Sequence, residues 1–220
     1  MRGLEAVIVE AGVGNLGNLV RALEAVGASP RITADPREIA AARCLLLPGV
    51  GAFAPPREAV RGRIEEALRE ALGRGAYLLG ICVGFQILFE EGEEFQTTDG
   101  LGLLPGRVTR LPAGVPVPHI GWNRLHGVTD HPLLAGLGED CKDCKDGKDP
   151  EARMGRFVYF VHSYAPEGVP EELCLALCTH GRVFPAVAGR GRVMGTQFHP
   201  ERSGPAGLRL LANFLEMGWR

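Results

Sequence analysis

The sequence predicts an α/β fold built on a mostly parallel central sheet, and three observations predict it. Apolar runs of strand length alternate with stretches of helical periodicity through the first half of the chain. Two of these runs, RCLLL (43–47) and YLLGI (77–81), are apolar almost throughout, as strands covered on both faces are. The strand–helix order repeats, which implies right-handed crossovers between parallel strands.

Each element has its own warrant. Residues 4–9 (LEAVIV) are expected to form the first strand. A helix over 15–26 follows, with Leu16, Leu19, Val20 and Leu23 at helical spacing and Gly27 closing it. The second strand falls at 29–33, and Asp35-Pro36 then offers a side-chain cap and a first helical position for a short helix. After the 43–47 strand, Ile64, Ala67, Leu68, Ala71 and Leu72 share one stripe, which predicts a single amphipathic helix over 57–73. The 77–81 strand leads directly into a helical run through Phe89. Prolines and glycines then break 101–126 into short β runs. Strands are expected at 156–164 (RFVYFVHSY) and 173–178 (LCLALC), with a hairpin over 184–198 around Gly189-Arg190-Gly191 and a closing helix over about 205–217. Residues 139–155 (EDCKDCKDGKDPEARMG) have no apolar periodicity and are expected to be an exposed insertion in a single domain spanning 1–220.

Composition narrows the functional classes. With 220 residues, 45% of them hydrophobic and 23% charged, the chain has the material of an ordinary globular core. A net charge of −2 argues against sequence-independent nucleic-acid binding, which needs a basic surface. No apolar run approaches the roughly 18 residues of a membrane span, and glycine and glutamate interrupt any signal-peptide pattern at the amino terminus. The expectation is a cytoplasmic protein whose six cysteines are reduced thiols.

Three motifs can carry chemistry, and each has a plain structural reading beside the chemical one. In YLLGICVGFQ, Cys82 stands between Gly80 and Gly84 at a strand-to-helix junction, a thiol version of the nucleophile elbow. A helix amino terminus there favours thiolate; the other reading is a buried structural cysteine. In GTQFHPERSG, His199 ends a β run and Glu201 follows it, as a base and its orienting carboxylate would. The other reading is a turn with a surface ion pair. In LLLPGVGAF a buried strand stops at Pro48, and Gly49-Val50-Gly51 leaves backbone N–H groups that either hold an oxyanion or make a tight turn. A fourth signal competes. Gly12, Gly14 and Gly17 form G-x-G-x-x-G after the first strand, and Asp35 lies 18 residues beyond Gly17 (35 − 17), close to a dinucleotide-binding fingerprint. A dinucleotide-dependent oxidoreductase would give Cys82 and His199 no role.

Taken together, in this order and at this spacing, GICVGFQ, PGVG and FHPE resemble the signatures of the class I (triad) glutamine amidotransferases. The resemblance implies a three-layer, flavodoxin-like α/β fold, with antiparallel strands added to the mostly parallel sheet in the C-terminal half. It implies a Cys82–His199–Glu201 triad that hydrolyses the side-chain amide of glutamine, and an oxyanion hole at Val50, Gly51 and Val83. Substrate binding falls to Gly49, Gln86, Glu94, Ser163 and Tyr164, with no cofactor and no metal.

Further stretches, GVGNLGN (12–18), HIGWN (119–123), VYFVHSY (158–164) and QFHPERSG (197–204), are similar to the glutaminase subunits of imidazole glycerol phosphate synthase. Glutaminase subunits of other synthases lack the GNL and HIGWN pair. The partner so implied is a (βα)8-barrel cyclase subunit, which takes ammonia in a heterodimer of histidine biosynthesis. Asn15, Trp122 and Asn123 are the residues expected to face it, and weak glutaminase activity is expected without it. On this reading the opening glycines allow close approach of a protein partner, and Asp35 is a helix cap. The chain departs from the family pattern at Glu10, Ala11, Val83, Phe85 and His180, none of them in the triad.

Two remaining signals imply little. Cys141, Cys144, Cys174 and Cys178 suggest a four-thiolate zinc site, but on one strand Cys174 and Cys178 stand about 13 Å apart, where zinc needs roughly 4 Å between sulfurs. His119, His126, His131, His162 and His180 are scattered without ligand spacing and are expected in loops, turns or packed positions.

Overall fold

The computed structural model describes residues 4–12, 16–138 and 155–219. Asn15, Cys141 and Cys144 lie outside these residues, as does all of the expected insertion except Gly155.

The first half of the chain alternates as its pattern predicts. Strand β1 (Leu4–Val9), helix α1 (Leu16–Ala25), β2 (Ala28–Thr33), α2 (Pro36–Ala41) and β3 (Cys44–Gly49) follow in order. The Asp35 carboxylate accepts from the Arg37 N–H at 2.9 Å and caps α2, which gives the acid of the supposed dinucleotide fingerprint a local structural use. Every residue of β3 is buried.

The single helix expected over 57–73 is two, α3 (Ala54–Val60) and α4 (Arg63–Gly73). Gly62 takes φ 76 between them, a left-handed conformation that no helix continues through. The apolar stripe survives on α4, with Ala67, Leu68 and Ala71 buried. β4 (Tyr77–Cys82) then runs into α5 (Val83–Gln86), a single turn where a run through Phe89 was expected. The chain tightens there, with Leu88 and Phe89 donating to carbonyls three residues back. The carbonyls of Ile87, Leu88 and Phe89 are taken instead by the N–H groups of Leu101, Leu103 and Gly102. Tertiary donors end the helix.

The second half supplies β5 (Glu91–Gly92), β6 (Thr98–Asp99), β7 (Arg107–Arg110), β8 (His119–Arg124), β9 (Phe157–His162), β10 (Tyr164–Glu167), β11 (Cys174–His180), β12 (Arg182–Arg190), β13 (Val193–Thr196) and helix α6 (Gly204–Trp219). The one strand expected over 156–164 breaks at Ser163, because β9 pairs with β8 while β10 pairs with β7.

The main sheet has the order β11-β12-β13-β4-β3-β1-β2. Its five strands from β13 to β2 are parallel, and β12 and β11 add antiparallel pairs at one edge. Right-handed crossovers put α1 on one face, where it packs with α6, and α2 and α4 together on the other. The result is three layers. A smaller sheet, β10-β7-β5-β6, and a ribbon, β8-β9, stand beside the main one. Among the described residues, no helix is long and apolar enough to cross a membrane.

Register decides where chemistry can gather. Gly49 pairs with Cys82, Pro48 with Ile81, and Thr196 with Ile81, so β3, β4 and β13 end together at the carboxyl edge of the sheet. That edge is where open α/β sheets bind ligands.

Candidate active site

The elbow is built by close packing. A Cβ placed on Gly84 would stand 1.8 Å from the Leu47 carbonyl oxygen of β3, so only glycine lets α5 lie against the sheet. Cys82, at the junction, takes φ 55 and ψ −112. Such a conformation costs a non-glycine residue about 1–3 kcal/mol and is characteristic of functional positions. Its side chain, 2% exposed, is held at the floor of a cavity of about 250 Å³.

Nine of the residues singled out from the sequence line that cavity: Val50, Gly51, Cys82, Val83, Gln86, Glu94, Ser163, Tyr164 and His199. Gly49 is not among the lining residues but pairs with Cys82 on the neighbouring strand. Glu201 stands behind His199. The imidazole Nδ1–H donates to Glu201 Oε1 at 2.8 Å, and both side chains are nearly buried. That bond leaves Nε2 as the ring nitrogen that Glu201 does not engage. Nε2 has no nitrogen or oxygen partner. Burial pulls the His199 pKa down, but hydrogen bonding to Cys82 and Glu201 and the charges of both outweigh it, and the pKa is pushed up to about 10. That shift favours the imidazolium form of His199 beside Cys82.

Burial pushes Cys44 and Cys174 up to about 11 and Cys178 to about 12, which keeps them protonated at neutral pH. No group of three or more histidine, cysteine or acidic side chains among the described residues could hold a metal ion.

The cavity walls come from distant segments. Glu94 sits on the loop between β5 and β6, and its Oε2 accepts the Phe53 N–H at 2.9 Å, tying that loop to the chain just after Gly51. Gln86 is 2% exposed, and its Nε2 donates to the Tyr164 carbonyl at 2.8 Å and to Gln197 Oε1 at 3.1 Å. The Gln197 amide in turn reaches the Cys82 sulfur at 3.9 Å.

The motif reading missed Gln197, although it lies within the QFHPE stretch. It also set aside His119 and His162, which the β8–β9 pairing brings face to face at 3.0 Å. His180 stacks on His119 at 4.0 Å between ring centres. Three of the histidines that look scattered along the chain therefore form one cluster, with His119 and His162 buried and His180 partly exposed, and only strand pairing reveals it.

Of the residues expected to face a partner, Trp122 is 55% exposed on β8, edge-on to Tyr159 of β9. Ile120 and Phe157 are likewise exposed on this ribbon, at 61% and 56%. Asn123 turns inward instead, donating to His119 Nε2 at 3.2 Å and to the Thr179 carbonyl at 3.1 Å.

Comparison with known proteins gives a consistent result. The family described as glutamine amidotransferase class-I matches residues 7–217. Subunit HisH of imidazole glycerol phosphate synthase from Symbiobacterium thermophilum is 46% identical over 212 residues, covering 96% of this chain and 93% of that protein. The subunit of the same name from Methanosarcina barkeri is 44% identical over 217 residues, covering 96% and 98%. Among solved structures, a crystal structure of glutamine amidotransferase aligns with a TM-score of 0.72 at 22% identity, over 99% of this chain and 100% of that one. The structure of PurLQS from Thermotoga maritima aligns with a TM-score of 0.73 at 21% identity, over 99% of each chain.

Proposed function

The chain belongs to the class-I glutamine amidotransferase family, and on that premise we propose that it is the glutaminase subunit of imidazole glycerol phosphate synthase, working through Cys82, His199 and Glu201. The observation that carries the assignment of roles is the strained Cys82 at the sheet's carboxyl edge, beside an imidazole already oriented by a buried carboxylate.

The reaction follows from that geometry. Cys82 thiolate attacks the side-chain amide carbon of glutamine. Negative charge develops on the amide oxygen, and the backbone N–H groups of Val50, Gly51 and Val83 receive it. The His199 imidazolium gives its proton to the departing nitrogen, ammonia leaves, and a thioester to Cys82 remains. The neutral imidazole then takes a proton from water, which attacks the thioester and releases glutamate. Glu201 keeps the proton on Nδ1 throughout, so that Nε2 faces the reacting atoms. Gly49, Gln86, Glu94, Ser163 and Tyr164 surround the glutamine backbone and orient it in the cavity.

Ammonia released into water at neutral pH is mostly protonated and lost, so the product is passed to a cyclase subunit docked against the chain. The exposed ribbon bearing Ile120, Trp122 and Phe157 supports a docking face there, since contiguous large apolar side chains are uncommon on a free surface. In the complex, Cys82→Ala is expected to abolish glutamine-dependent synthesis and leave synthesis from added ammonia intact. Retained glutamine hydrolysis by that variant would refute the roles assigned.

A further inference from the structure

We propose that His119 and His162, which no step above uses, form a one-way hydrogen-bond relay that positions the Ser163–Tyr164 wall of the glutamine cavity. Both side chains are buried, at 5% and 6% exposure. The proton positions follow from the fixed ends. His162 Nδ1 lies 2.9 Å from the Tyr164 carbonyl oxygen, which only accepts, so Nδ1 carries the proton. Its Nε2 is then an acceptor, and His119 Nδ1, 3.0 Å away, must donate to it. His119 Nε2 is left as an acceptor for the Asn123 amide at 3.2 Å. The Asn123 amide cannot be reversed. Its nitrogen also donates to the Thr179 carbonyl at 3.1 Å, and its oxygen accepts the Arg124 N–H at 2.8 Å.

Each donor therefore points the same way, from Asn123 on the ribbon to the carbonyl of Tyr164 in the cavity wall. Both rings must be neutral for the relay to exist. Burial provides this, pulling His162 to about 3 and His119 to about 4, the latter helped by His180 stacked upon it.

The receiving end is what makes the relay more than packing. The Tyr164 carbonyl accepts two buried donors, His162 Nδ1 and Gln86 Nε2. It stands at the first residue of β10, where Tyr164 pairs with Arg110 of β7 and the Ser163 carbonyl accepts the Leu111 N–H at 2.9 Å, so the two side-chain donors set the direction of the Tyr164 carbonyl itself. Without His162 the carbonyl keeps only Gln86, and the peptide that follows Tyr164 loses one of the two donors that set its tilt. Bound glutamine would then meet a less sharply placed wall, which weakens binding more than it slows bond breaking.

This inference rests on the glutaminase reading for its kinetic test but not for its spectroscopic one. In the 15N-labelled full chain at neutral pH, both rings are expected as the Nδ1–H tautomer, the minor form of a free imidazole side chain. An Nε2–H or doubly protonated His162 would overturn the relay, and that measurement needs no variant to fold. With the cyclase subunit present, His162→Leu is expected to raise the glutamine KM roughly 10-fold with kcat within about 2-fold. His162→Asn keeps an amide N–H near the Nδ1 position and is expected to return KM to within about 3-fold of the parent. Equal KM values for the Leu and Asn variants, or a loss confined to kcat, would overturn the positioning role. A parent chain with Nδ1–H rings that releases no glutamate overturns the function proposed above, and the relay's role in it.

Discussion

At Cys82 the backbone stores strain that the surrounding packing must maintain, with φ 55 held by β4 on one side and α5 on the other. The same residue shares its electrostatics with His199 and, through it, with Glu201. Their sign can be worked out. His199 is raised from 6.5 to about 10, so the imidazolium, the proposed proton donor, persists through neutral pH and is lost only as pH climbs toward 10. The stabilisation linked to this proton likewise is full below 6.5 and disappears on the alkaline side. Glu201→Gln removes the negative charge and is expected to move the alkaline limb of kcat/KM to lower pH, with kcat falling by about 100-fold or more. An unmoved limb in the pH–rate profile would count against the role given to Glu201. This pair was legible because its members are two residues apart in FHPE. The His119–His162 pair was not, since 43 residues separate them and no spacing rule joins them.

At the scale of elements, most strands and helices appear where periodicity places them, and the differences have local causes. Gly62 splits the helix expected over 57–73, and Ser163 divides the strand expected over 156–164 between two sheets. The two glycines at the heart of these elements serve different ends. Gly84→Ala would put a methyl 1.8 Å from a backbone oxygen of β3, where nothing flexible can give way. Denaturant unfolding is expected to show a loss of about 3 kcal/mol or more, or no soluble protein. Gly62→Ala meets nothing within 4 Å and carries only the conformational penalty of its φ of 76, about 1–2 kcal/mol. Similar losses for the two variants would mean that the elbow tolerates more relaxation than its packing suggests. The short strands β5 and β6 had no sequence signal. They are two residues each, and they exist because Glu94 and its neighbours are held by Phe53 and β7.

Across the whole molecule, the cavity and the exposed ribbon share a strand. β9 carries Phe157 and Tyr159 toward the β8–β9 surface and ends at Val161 and His162 in the cavity wall. A partner docked there, as proposed, would press on a strand that also lines the cavity. The isolated chain is expected to hydrolyse glutamine slowly and to speed up when the cyclase subunit and its nucleotide substrate are added. Full activity without the partner would show that the site is complete alone. Trp122→Ala is expected to weaken the complex about 10-fold or more in a binding titration, as loss of an aromatic anchor does, and unchanged affinity would move the docking face elsewhere.

The amino-acid sequence by itself determined the alternating parallel architecture, the elbow around Cys82, and the His199–Glu201 pair, because hydrophobic period, glycine placement and short-range spacing are written locally. What only the tertiary structure decided is which distant groups meet. The common ending of β3, β4 and β13, the capture of Glu94 by Phe53, and the relay from Asn123 to Tyr164 all depend on strand register. Register is set by the packing of whole faces, and no local stretch of sequence contains it.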